Sequence, residues 1–89
     1  MKFKTNPIEG VDLTGKIIVL REGVLKRQYD KFENYFYLAT GGFGYSPSAI
    51  GRAVFTRSIF DGLDERWIRS DFEGWLTEEE FADLRAKNG

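Results

Sequence analysis

The sequence predicts a small α+β domain, mostly β: a strongly bent antiparallel sheet or small barrel of four to five strands, with one C-terminal helix. Three observations carry this. The chain has 89 residues, the length of a single domain spanning 1–89. Its middle is a succession of short β-branched and aromatic runs broken by glycine, proline and aspartate turns. Its last segment opens with a complete helix start signal.

The elements follow in order. Residues 1–14 are weakly patterned; Lys2-Phe3-Lys4 alternates like a short edge strand, and Asn6-Pro7 and Glu9-Gly10 are turn signals. Lys16 to Arg21, short and β-branched between Gly15 and Gly23, reads as a strand. Val24 to Tyr29 is the candidate for a second strand, and Asp30 to Asn34 reads as a polar turn. Tyr35 to Thr40 is the next strand, and Gly41 to Gly51 a long loop. Within that loop Ser46 and Pro47 sit as N-cap and first residue of one helical turn that Gly51 stops. Arg52 to Phe60 is the strongest strand of the chain, Asp61-Gly62 begins a hairpin turn, and Glu65 to Ser70 returns, extending toward Phe72.

The helix is set over about 78–87. In Thr77-Glu78-Glu79-Glu80 the Thr77 hydroxyl accepts the Glu80 N–H while the Glu80 carboxylate reaches back to the Thr77 N–H. Leu76 and Phe81 flank the cap as a hydrophobic staple, and glutamates at the start with Arg85 and Lys87 at the end match the helix dipole. This order of elements has an SH3-like or OB-like outline by architecture alone, with no sequence motif of either family, and an outline says little about function.

Composition removes several chemistries. With no cysteine and no histidine, disulfides, thiolate catalysis and zinc-finger ligation are excluded, and the commonest general base and metal ligand are missing. No cofactor or metal is expected. A cysteine-free small domain points to the cytoplasm, as does an N-terminus without the apolar stretch of a signal peptide. The longest apolar run, Ile17 to Leu20, is far too short to span a membrane.

The motifs point away from catalysis. Gly41-Gly42-Phe43-Gly44 would need a glycine at Pro47 to be a dinucleotide loop, and Gly15-Lys16 is followed by Ile17 and not by Ser or Thr. Asp61, Asp64 and Glu65 cluster at a solvated turn, which supplies neither the opposed carboxylates of a glycosidase nor a calcium loop. No Ser-x-x-Lys or Gly-x-Ser-x-Gly spacing exists. The expectation is a non-enzymatic binding module.

Two features nominate a contact surface. Seven aromatics lie within the seventeen residues from Tyr29 to Tyr45, and the run closes on the glycine-rich Gly41 to Tyr45. There Phe43 and Tyr45 stand beside the Ser46-Pro47 turn, with Arg52 close behind. They either cap the core or face a partner, and both readings are open. The second feature is arginine interleaved with aromatics: Arg52, Arg57, Arg66 and Arg69 lie on the predicted hairpin around Trp67. Side chains alternate along a strand, so if Val54 and Phe60 point inward, Phe55 and Arg57 are outside together; the opposite register buries Phe55 and Ile59.

The candidate binding residues are therefore Phe43, Tyr45, Arg52, Arg57, Trp67 and Arg69. The first expected role is a protein-interaction or regulatory inhibitor domain, self-association included, because Trp, Tyr and Arg dominate such contacts. Nucleic-acid binding through an Arg/aromatic sheet face is the alternative, and an anionic small ligand at the barrel mouth the next. Charge is unevenly distributed: residues 1–57 carry nine Lys/Arg against five Asp/Glu, and 58–89 carry four against nine, for a net −1. An overall acidic chain fits phosphate binding poorly.

Overall fold

The computed structural model describes residues 4–24, 31–42 and 53–88. It contains one five-stranded antiparallel sheet and one C-terminal helix. The strands are β1 (Ile17–Leu20), β2 (Phe36–Gly42), β3 (Ala53–Ser58), β4 (Asp64–Ile68) and β5 (Phe72–Leu76); the helix α1 is Glu78–Asn88. Their order across the sheet is β4-β3-β2-β1-β5.

That order places consecutive strands β4 and β5 at opposite edges, joined only by a three-residue 3₁₀ turn, Arg69–Asp71. Four residue steps reach at most about 14 Å. The edges of five flat strands would stand about 19 Å apart. The sheet must therefore bend strongly to bring this corner together. No β4–β5 ladder occurs among the described residues, so the described sheet is open.

The structure corrects the hairpin's return arm. It does not run on from Glu65 to Ser70 but stops at Ile68, and Phe72–Leu76 is a separate fifth strand paired with β1. The cause is local. The Asp71 carboxylate accepts the Ile68 N–H at 3.1 Å, which closes the 3₁₀ turn, and Arg69 turns inward. The glycine segment is also corrected. Gly41 and Gly42 belong to β2, past a bulge between Ala39 and Gly41 where the register against β3 shifts. Tyr35 ends a 3₁₀ turn, Phe32–Tyr35, and does not open the strand. The strand expected over Val24 to Tyr29 and the helical turn from Ser46 fall outside the described residues, apart from Val24 itself, which lies in a turn.

β1 is buried along its whole length, as its unbroken apolar run requires. One face of the sheet holds Ile18, Tyr37, Ala39, Val54 and Thr56, all buried. On the other, Phe36 gathers Phe32, Phe81 and Phe60 at ring separations of 4.7, 5.0 and 6.5 Å. Phe81 brings α1 onto the sheet there, and Arg85 from the same helix lies 4.8 Å over the Phe60 ring.

The N-terminal segment covers the outer edge of β5. Asn6 and Trp75 exchange backbone bonds of 2.9 and 3.0 Å, and the Trp75 indole N–H donates to the Pro7 carbonyl. Gly74 makes this approach possible. A Cβ there would collide with the Thr5 side chain and stand 2.5 Å from the Asn6 carbonyl oxygen. Gly74→Ala is therefore expected to lower stability by about 1–3 kcal/mol through overpacking, measured by urea unfolding.

The capping box forms as the sequence requires: Glu80 N–H donates to Thr77 Oγ1 at 3.1 Å, and Thr77 N–H to Glu80 Oε1 at 3.0 Å. The Asn6 amide also donates to Glu80 Oε1 at 2.9 Å, tying helix to N-terminal segment. The Thr77 backbone N–H, with Asn6 assisting, holds the Glu80 carboxyl below its ordinary 4.5. A depressed carboxyl stabilises the fold above its unfolded value, and that contribution is lost as pH falls through the folded one. Glu80→Gln is thus expected to be less stable than the parent near neutral pH, with the gap narrowing below about pH 4.5, in paired thermal melts across pH.

Candidate functional site

The hairpin of β3 and β4 is held in one register. Ser58 N–H donates to the Leu63 carbonyl at 2.9 Å, Gly62 N–H to the Ser58 carbonyl at 3.0 Å, and Asp61 Oδ1 accepts the Leu63 N–H at 3.1 Å. The ladder then pairs Arg57 with Asp64, Thr56 with Glu65, Phe55 with Arg66, Val54 with Trp67 and Ala53 with Ile68, without a shift. Thr56 is buried and its hydroxyl donates to the Glu65 carbonyl at 3.0 Å.

This register settles the alternation along β3. Val54, Thr56 and Ser58 are buried, while Phe55 and Arg57 are exposed on the opposite, outer face. On that face a row of paired positions runs Leu76, Ile17, Leu38, Arg57, Asp64 across the five strands. The next row places Gly41, Phe55 and Arg66 side by side. Leu38, Phe55 and Ile68 are 37%, 47% and 40% exposed, three large apolar side chains on one face.

Gly42 positions Phe55. It has φ +95°, and a Cβ there would stand 2.8 Å from the Ala53 carbonyl oxygen and 3.2 Å from Phe55 Cγ. The ring thus lies down against bare backbone. The bulged Thr40 donates its hydroxyl to the Phe55 carbonyl at 3.1 Å. A shallow open groove results, lined by Thr40, Phe55, Arg57, Asp64 and Arg66.

The sequence-expected site residues divide. Arg57 is on the outer face, where its Nε donates to Asp64 at 3.2 Å with both side chains well exposed; such a pair contributes little stability. Trp67 faces inward opposite Val54 and meets the Tyr37 ring at 5.6 Å, edge-on. Its indole nitrogen is buried and makes no hydrogen bond among the described residues.

Arg69 is buried, 2% exposed, and donates to the carbonyls of Ile8 and Val11. Burial pushes its guanidinium below the ordinary arginine value, with Asp12 and Glu9 acting in the opposite sense. It is an internal clamp on the N-terminal segment and contributes no contact surface. Phe43, Tyr45 and Arg52 lie outside the described residues.

Arg66, Ile68 and Leu38 are surface residues outside the six candidate binding residues, although the sequence places Arg66 among the hairpin arginines. A signal for the first two exists. The hairpin register that sets Arg57 against Asp64 also sets Val54 against Trp67 and leaves Phe55 beside Arg66. Of Arg57, Arg66 and Arg69, only Arg66 keeps its guanidinium uncommitted among the described residues. No group of three or more acidic side chains fit to hold a metal ion occurs among the described residues, and no helix there is long and apolar enough to cross a membrane.

In comparisons with known proteins, no family model, no curated protein and no solved structure matches this chain.

Proposed function

We propose that this chain acts by binding a protein partner and not by catalysis, as an interaction or regulatory domain, with the outer face of β2, β3 and β4 as its contact surface. The observation that carries the reading is three exposed large apolar side chains on one face, Leu38, Phe55 and Ile68, of which Phe55 and Ile68 flank Arg66, whose guanidinium has no partner among the described residues. Exposed apolar side chains scattered singly need no explanation, whereas a group of them with an arginine is the composition of an interface centre. The scaffold is a small SH3-like barrel in this reading, supported by the short β4–β5 crossover. A cytoplasmic setting accords with a chain that has no cysteine to oxidise.

Asp64 and Glu65 share the hairpin with the arginines, and Arg57 already faces Asp64. A mixed-charge face of this kind suits a protein surface better than a phosphate backbone, whose binding rests on accumulated positive charge.

Affinity capture from a lysate tests the reading with the parent, a Phe55→Ser/Ile68→Ser variant and a Lys87→Glu control on the helix. The double variant should lose proteins that parent and control both retain, while its far-UV spectrum and cooperative melt persist. Full retention by the double variant would contradict the reading.

A further inference from the structure

We infer that the partner enters as an extended segment adding a sixth strand to the edge of β4 that no described strand pairs, with a carboxylate opposite Arg66 and a large apolar side chain two residues away, over Ile68. The inference rests on the binding reading above and gives it a geometry.

The two edges of the sheet differ. β5 is covered by the Asn6 bridge, whereas β4 has a ladder only to β3 among the described residues. In an antiparallel ladder, pairs that exchange both backbone bonds alternate with pairs that exchange none. Ser58 N–H donates to the Leu63 carbonyl at 2.9 Å, which makes that a bonded pair. Counting along the unshifted register, Glu65 and Trp67 turn their backbone groups toward β3, and Asp64, Arg66 and Ile68 turn theirs away. The Ile68 N–H is taken by Asp71. The N–H and C=O of Asp64 and Arg66 remain, two residues apart, the repeat at which an extended chain presents its own groups.

The side chains choose the occupant. On the outer face of β4 stand Asp64, Arg66 and Ile68. Asp64 is answered by Arg57 at 3.2 Å. Arg66 has no such partner among the described residues, and a guanidinium is matched best by a carboxylate. Ile68 is 40% exposed and calls for an apolar neighbour. A second copy of β4 fits poorly. Setting Asp64 against Arg66 of the copy brings Glu65 against Glu65, and centring on Arg66 brings arginine against arginine; like charges directly opposite destabilise a strand pair.

The test uses the ¹⁵N-labelled full chain and a seven-residue, end-blocked peptide, threonine-leucine-threonine-glutamate-threonine-leucine-threonine, whose leucines share the face of the central glutamate. Two controls are the same peptide with central lysine and one N-methylated at alternate amides. The inference expects the glutamate peptide to bind and to slow amide exchange at Asp64 and Arg66 but not at Glu65 and Trp67. It expects the lysine peptide, or Arg66→Ala, to weaken binding by about tenfold or more, the loss of one charge-assisted hydrogen bond, and the N-methylated peptide to weaken it by about as much through its lost backbone donors. Binding without protection at Asp64 and Arg66, equal binding of the lysine peptide, or no binding at millimolar peptide would each overturn it. So would concentration-dependent protection of those amides with no peptide present, which would assign the edge to a second copy. The contact-face reading fails separately, when the Phe55→Ser/Ile68→Ser variant keeps every captured protein.

Discussion

Replacing Phe36 with alanine is expected to cost about 3–5 kcal/mol, the range for removing a fully enclosed phenyl ring. The ring is entirely buried and sits among Phe32, Phe60 and Phe81, which arrive from a 3₁₀ turn, the hairpin loop and the helix. No single neighbour can collapse into the space without leaving another. A domain of this size has roughly 5–13 kcal/mol in hand. Each kcal/mol is worth about 4–8 °C in Tm at this length. A fall of at least about 12 °C in a calorimetric melt is therefore expected for Phe36→Ala, and a much smaller one for Phe36→Leu. A shift of a few degrees for the alanine variant would mean that helix and sheet do not meet through this ring.

Arg69→Ala is expected to cost about 3 kcal/mol, because the buried Ile8 carbonyl and the part-buried Val11 carbonyl lose a charged donor at once. Truncation leaves the Ile8 carbonyl with the Val11 N–H alone and the part-buried Val11 carbonyl without its charged donor, and this makes breaking such a contact costlier than the contact's net worth. Arg69→Lys should recover only part, since one ammonium replaces a planar fork. The loss has a local signature. Val11 N–H is bonded to the Ile8 carbonyl and Lys16 N–H to the Leu13 carbonyl, so their amide exchange should quicken before that of β1. Urea unfolding gives the magnitude and hydrogen exchange the location. Unchanged exchange at Val11 would contradict the clamp.

The behaviour of Arg69 also shows where sequence reasoning stopped. Arginine is seldom fully buried, and the partners that bury this one are some sixty residues away in the chain, beyond any local pattern. The same contact, with the Asp71 cap, turns the chain at Ile68. Without it Trp67 to Phe72 reads as one continuing strand, and β5 was hidden for that reason. What depended on nearby residues was legible: the capping box at Thr77 and Glu80, the β1 run and the alternation along β3. The face carrying Arg57 was legible only as one of two registers, because the choice between them depends on the bulge at Thr40 and on what covers Val54. Trp67 beside two arginines looked like surface chemistry; its place opposite Val54 follows only from the fixed register.

The register of β3 against β4 puts Phe55, Arg57 and Arg66 outside together and Thr56 inside. A chain without cysteine allows it to be tested by placing one thiol at a time. Labelling rates under native conditions should be fast, near those of the unfolded chain, for Phe55→Cys, Arg57→Cys and Arg66→Cys. They should be strongly suppressed for Thr56→Cys, a near-isosteric change at a residue only 1% exposed. Fast labelling at position 56 with protection at 55 and 57 would mean the opposite register, and the contact face would be the core.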